Sequence, residues 1–69
     1  MIVLDQIRKN VQTAIRQSTH SKSEICKYLG IKQPTLSQYL SGRAMPALDT
    51  FANLCVYLDL DANELLGIQ

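Results

Sequence analysis

The chain contains no tryptophan, one histidine and two cysteines in 69 residues. Cys26 and Cys55 lie 29 positions apart and form no CxxC, and His20 is not at ligand spacing from either, so a metal site is not expected. A disulfide between them is disfavoured in a cytosolic chain. A single histidine, no phosphate loop and no carboxylate pair in a plausible cleft leave an enzyme without its material, so no catalytic residue and no cofactor is expected. No apolar run is long enough to cross a bilayer. The opening MIVL is followed at once by Asp5, Gln6 and Arg8, which does not read as a signal peptide, and the expected location is cytoplasmic. No Pro/Ser/Gly-rich tract suggests a linker or disorder, no stretch alternates convincingly as a strand, and there are no repeats.

What is present is enough for one small domain, expected over residues 1–69. Hydrophobic residues make up 46% of the chain, so a core is available despite the short length. The net charge of +1 hides a division. Residues 1–46 hold all 7 basic residues with only Asp5 and Glu24 against them, a balance of +5. Residues 47–69 hold no basic residue and four acidic ones, Asp49, Asp59, Asp61 and Glu64, a balance of −4. A chain divided in this way can present one basic face while staying nearly neutral overall.

Five short helices account for the pattern, at approximately 4–17, 22–29, 33–41, 48–58 and 62–66. Leu4, Ile7, Val11, Ala14 and Ile15 recur at helical spacing in the first, with Arg8, Lys9, Gln12 and Arg16 mostly off that stripe. Ser21-Lys22-Ser23-Glu24 is a capping box that opens the second, whose buried face is expected to be Ile25, Cys26 and Leu29 before Gly30 ends it. Leu48, Phe51, Leu54, Cys55 and Leu58 share one face of the fourth. Asp61-Ala62-Asn63-Glu64 reads as another capping box opening the last.

The third helix is the odd one. In GIKQPTLSQYLSG, Pro34 stands near the start and Lys32 occupies the cap position. Proline is tolerated in a first helical turn, where its missing N–H would be unbonded anyway, so Pro34 marks where the helix begins. Leu36 and Leu40 are expected to point inward and Tyr39 to cover the core edge with its hydroxyl exposed. Gln33, Ser37 and Gln38 then lie on the outer face.

Gly30-Ile31-Lys32 joins the second and third helices in three residues, a helix-turn-helix spacing. The segments SEICKYLGIKQPTLSQYLSGRAMP and LCVYLDLDANELLG resemble the lambda-repressor-like (Cro/C1, XRE-type) DNA-binding domains over about residues 7–67. The resemblance implies a compact five-helix all-α fold with the helix-turn-helix at helices 2 and 3, and the third helix in the major groove. The base-contacting positions it implies are Gln33, Pro34, Ser37 and Gln38. Both glutamines have the amide geometry to address adenine, and the Pro34 ring could pack on a thymine methyl. Phosphate contacts are expected from Ser21, Lys22, Ser23, Lys32, Thr35 and Arg43, while Lys9 and Lys27 read as solvating charges.

Cys26 and Cys55 stand where such domains usually carry alanine, and read as small buried hydrophobes. His20 reads as a partly buried structural group. Many of these domains pair an arginine late in helix 1 with a glutamate near the end of helix 3. The matching positions here are Ile15 and Leu40, both apolar, which are expected to touch. Tyr57 to Ile68, with the MIVL start, reads either as a self-association surface or as closure of the monomer core. The resulting expectation is a sequence-specific repressor of phage, mobile-element or bacterial origin, a homodimer on a palindromic double-stranded DNA operator. It would be nucleoid-associated when bound, with no membrane contact and no evident small-molecule ligand. The alternative is an antitoxin-like protein-interaction module with DNA binding secondary or lost.

Overall fold

Five helices make up the described residues, 1–68, of the computed structural model, with no strand among them. Gln69, the last residue of the expected domain, lies outside the described residues. The fold is all-α. The helices are α1 (Leu4–Gln17), α2 (Lys22–Leu29), α3 (Gln33–Ser41), α4 (Leu48–Leu58) and α5 (Ala62–Leu66). α1 packs on α3 and α5, and α2 packs on α3 and α4.

Each of the four longer helices contributes to one core. It is built from Val11 and Ile15 of α1, Ile25 and Cys26 of α2, Leu36 and Tyr39 of α3, and Phe51, Leu54 and Cys55 of α4. Val11, Ile25, Leu36 and Leu54 are completely enclosed, which stabilises the fold by about 1.5–3 kcal/mol for each of the larger side chains. Both cysteines are free thiols within this cluster. Burial, then the nearby Asp61 carboxylate, pushes the Cys55 thiol up from its ordinary value. It therefore stays protonated and behaves as a small apolar side chain.

Several inward positions differ from the periodic reading. Leu48 is 85% exposed, because it opens α4 before that helix reaches the core. Leu4 is also exposed, at the corresponding end of α1. Tyr39, expected at the core edge, is buried, whereas Leu29 and Leu40 are only partly covered. Burial, followed by Asp49, raises the Tyr39 phenol above its usual pKa. The Asp61 box is half formed: the Asp61 carboxylate accepts from the Asn63 and Glu64 amides, and the return bond, from the Asp61 amide to the Glu64 carboxylate, is not made.

Gly42 ends α3 with φ at 81°, where an L side chain is disfavoured. A Cβ there would also lie 3.0 Å from Gln12 Nε2 and 3.2 Å from Arg8 Cδ. Gly42→Ala is expected to cost about 1–2 kcal/mol from the left-handed backbone, plus the displacement of both α1 side chains. Gly30→Ala shares the backbone cost but meets open space. The urea midpoint should therefore fall further for the Gly42 variant than for the Gly30 variant.

Candidate nucleic-acid interface

The turn between α2 and α3 is held by backbone. Gly30 takes the left-handed conformation, φ 69°, and the Ile31 amide donates to Cys26 O at 3.0 Å. This closes the end of α2 and redirects the chain within three residues. The Lys32 carbonyl then accepts from the Thr35 and Leu36 amides at 3.0 and 3.2 Å, starting α3. Lys32 itself supplies no side-chain cap, and Pro34 occupies the first turn, where no helical donor is required of it.

With Leu36 and Tyr39 buried, helical periodicity turns Gln33, Pro34, Ser37 and Gln38 outward, and all four are exposed. Thr35 is half-buried. Gln33 Nε2 donates to Ser23 Oγ at 3.1 Å, linking the first residue of α3 to the first turn of α2. Its second N–H and its carbonyl oxygen remain available.

The amino terminus of α2 is capped reciprocally. Glu24 N–H donates to Ser21 Oγ at 3.1 Å and Ser21 N–H donates to Glu24 Oε1 at 2.8 Å. The bond from the Ser21 amide, then the Ser21 side chain, and lastly the neighbouring His20 hold Glu24 below its ordinary carboxylate pKa. Because the folded value is the lower one, the cap contributes fully above the unfolded carboxylate value and is lost as pH falls through the folded value. The Ser21 amide proton resonance should therefore titrate with a midpoint below that of an unstructured glutamate. His20 is half-buried and stacks on Tyr57 at 4.4 Å, and Tyr57 stacks on Tyr28 at 4.1 Å. The three rings join the α1–α2 connection, α4 and α2, which gives His20 a structural place.

The other end of α3 is braced by α1. Arg16 Nη2 donates to Leu40 O at 2.9 Å, satisfying a carbonyl of the last turn with a cation, the favoured sign there. The Arg43 and Ala44 amides donate to Gln38 O at 3.0 and 3.3 Å. Neither the Arg16 bond nor the Ser23–Gln33 bond was legible in the sequence. The one available hint was a basic residue in the last turn of α1, adjacent to the position where similar domains carry an arginine.

Lys22, Lys32 and Arg43 are exposed, and among the described residues none is paired with a carboxylate. No group of three histidine, cysteine, aspartate or glutamate side chains among the described residues is placed to hold a metal. No described helix is long and apolar enough to cross a membrane.

Two helices joined by a three-residue turn, with a polar outer face on the second, define a helix-turn-helix DNA-binding domain. The family model described as "Helix-turn-helix" matches residues 11–65, and the chain belongs to that family. It is a DNA-binding regulator domain of the Cro/C1 type, a family of binding domains and not of enzymes. No curated protein and no solved structure matches the chain significantly.

Proposed function

We propose that the protein is a sequence-specific repressor that acts as a homodimer on a palindromic operator, with α3 in the major groove. The observation that carries this reading is the joint exposure of Gln33, Pro34, Ser37 and Gln38 on a helix held at both ends. Gln33 and Gln38 each present an amide that can donate to adenine N7 and accept from N6. Ser37 is small enough to allow close approach. Pro34 offers no hydrogen bond, only an apolar ring suited to a thymine methyl. Ser21, Lys22, Ser23, Lys32, Thr35 and Arg43 are assigned to phosphate, which positions the domain without reading sequence. The amino terminus of α2 adds free N–H groups and the positive end of its dipole.

Selection of bound sequences from random DNA, repeated over a range of salt concentrations, tests this reading. An enriched palindrome whose affinity falls steeply with salt is the expected result. Absence of any enriched motif counts against it. The exposed apolar residues Leu48 and Val56 on α4 favour the second reading, a protein-interaction module, and that reading predicts the same negative selection.

Lys32 gives a separate prediction. A serine there supplies the missing cap of α3, so Lys32→Ser should stabilise the folded chain by about 1 kcal/mol. The same change removes a cation assigned to phosphate. Binding should weaken to all sequences alike, and the slope of log affinity against log salt should fall by about 1. Thermal unfolding and a salt titration read the two effects separately.

A further inference from the structure

A groove of about 680 Å³ runs between the last turns of α1, the end of α4 and α5. Sites for small organic molecules occupy about 300–1,000 Å³. Its apolar lining comes from Ala14, Leu58, Leu60 and Leu65, and the three leucines are partly buried against the core, which holds them in place. Two carboxylates, Asp59 and Glu64, also line it. Both residues are exposed, and neither forms an ion pair among the described residues. No lysine or arginine lines the groove. His20 is the one lining side chain that can take up a positive charge, and its Nδ1 lies 4.0 Å from Glu24 Oε1, which answers that charge from outside the groove. The lining is therefore negative whichever form His20 takes. The place of Asp59 is unusual for this chain. α2, α3 and α5 each end on a glycine in the left-handed conformation, whereas α4 ends on Asp59 at φ 55°. The Leu60 amide donates to Cys55 O at 2.8 Å and fixes the turn that carries it. A position that favours glycine thus keeps a carboxylate at the groove.

We propose that this groove binds a small amphipathic amine, with a hydrocarbon body on the leucine lining and an ammonium answered by Asp59 and Glu64. Each half of the lining selects one half of the ligand. The apolar side chains gain by covering a hydrocarbon. The carboxylates, which lack a cationic partner in the protein, gain from charge-assisted hydrogen bonds to an ammonium. An anion of the same shape is repelled, and a neutral alcohol leaves both carboxylates without a countercharge. A metal ion fits the lining poorly. No group of three histidine, cysteine, aspartate or glutamate side chains among the described residues is placed to hold one, and a bare ion would leave the leucines uncovered. The groove is separate from the DNA face: none of Gln33, Pro34, Ser37, Gln38, Lys32 or Arg43 lines it. It does include Ser18, Thr19 and His20, the connection that leads into the Ser21 cap of α2. The amine therefore has a place on the protein while α3 is on DNA. That coexistence rests on the DNA-binding reading proposed above; the amine site does not.

Phenethylamine is the probe, with phenethyl alcohol and phenylacetate as its neutral and anionic counterparts at matched ionic strength. Titration calorimetry on the whole chain should show saturable binding of the amine with a Kd of about 1 mM or tighter. At about 10 mM amine the melting temperature should rise by about 5 °C, and neither counterpart should raise it. The Asp59→Asn/Glu64→Gln variant should bind the amine at least about tenfold more weakly. Its fold is kept, because asparagine also accepts the left-handed backbone and the Glu64 side chain makes no cap bond. Asp49→Asn removes one charge at the start of α4, outside the groove, and should bind the amine like the parent. The proposal is overturned if the amine shows no saturable binding up to about 10 mM. It is equally overturned if phenylacetate binds as well as the amine, if the Asp59/Glu64 variant binds like the parent, or if Asp49→Asn weakens binding as much as that variant does. A melting temperature that ignores the amine but rises with protein concentration, and loses that rise in the Asp59/Glu64 variant, would give the groove to a second copy of the chain and overturn it too. Amine binding by a chain that enriches no DNA motif would leave this site standing and remove the operator reading instead.

Discussion

Replacing Gln33 and Gln38 together with alanine should leave a folded protein that has lost its sequence preference. Both side chains are exposed, so the core is untouched. The one internal bond lost is from Gln33 to Ser23, a surface contact between α2 and α3. On DNA the expected effect is large. Each bidentate glutamine–adenine contact discriminates by about 1–3 kcal/mol. Removal of both should weaken binding to the preferred sequence by roughly 30-fold to 20,000-fold, at 1.4 kcal/mol per tenfold. Binding to unrelated DNA should change little, and the salt slope should stay the same, because the lysines, Arg43 and the α2 amino terminus are retained. Competition binding with the selected sequence and a scrambled one measures both quantities. An unchanged preference would mean that α3 does not read bases through these amides.

A buried charge at Ile15 should have the largest effect on stability. Ile15 is 5% exposed, on a face of α1 that packs against α3. Ile15→Arg places an unpaired cation in the core, a change that costs about 3–5 kcal/mol or more. A chain of this length has a total stability of only about 3–10 kcal/mol. The variant should therefore lose from about a third to all of the stability of the parent chain. DNA binding would go with it, because α1 also holds the end of α3 through Arg16 and Leu40 O. The Leu40 side chain is partly buried against the core cluster that contains Ile15. We propose that the two side chains face each other as an apolar replacement for an arginine–glutamate pair. Adding Leu40→Glu to Ile15→Arg should then recover a substantial part of the lost stability, and a double-mutant cycle by chemical denaturation measures the coupling. Full stability in the Ile15→Arg protein would sink the idea.

How much of this was legible in the sequence follows from the range of each interaction. The Ser21–Glu24 box joins residues three apart, so four consecutive letters were sufficient to anticipate both bonds. Pro34 and Gly42 constrain their own backbone, and so mark the start and stop of α3 wherever that helix packs. The local rule was less reliable at Asp61, where an identical spacing produced half a box. Periodicity located the apolar stripe of α4 but not its covered length. Leu48 is in phase with Phe51, Leu54 and Cys55, yet the packing that buries those three does not extend to it.

The candidate site divides in the same way. That Gln33, Pro34, Ser37 and Gln38 share one side of a helix is a consequence of 3.6 residues per turn, and the letters alone establish it. That Ser23 steadies Gln33 across 10 residues, and that Arg16 closes the end of α3 across 24, required the helices to be packed. The amino-acid sequence by itself determined an all-helical chain, the residues that start and stop its second and third helices, and the polar face of α3. Only the tertiary structure decided that Tyr39 is buried rather than exposed at an edge, that Leu4 and Leu48 stay in solvent, and that α1 braces the end of α3. Local preferences act through backbone conformation and the nearest turn, whereas burial depends on which surface another helix covers, and that is a property of the packed chain.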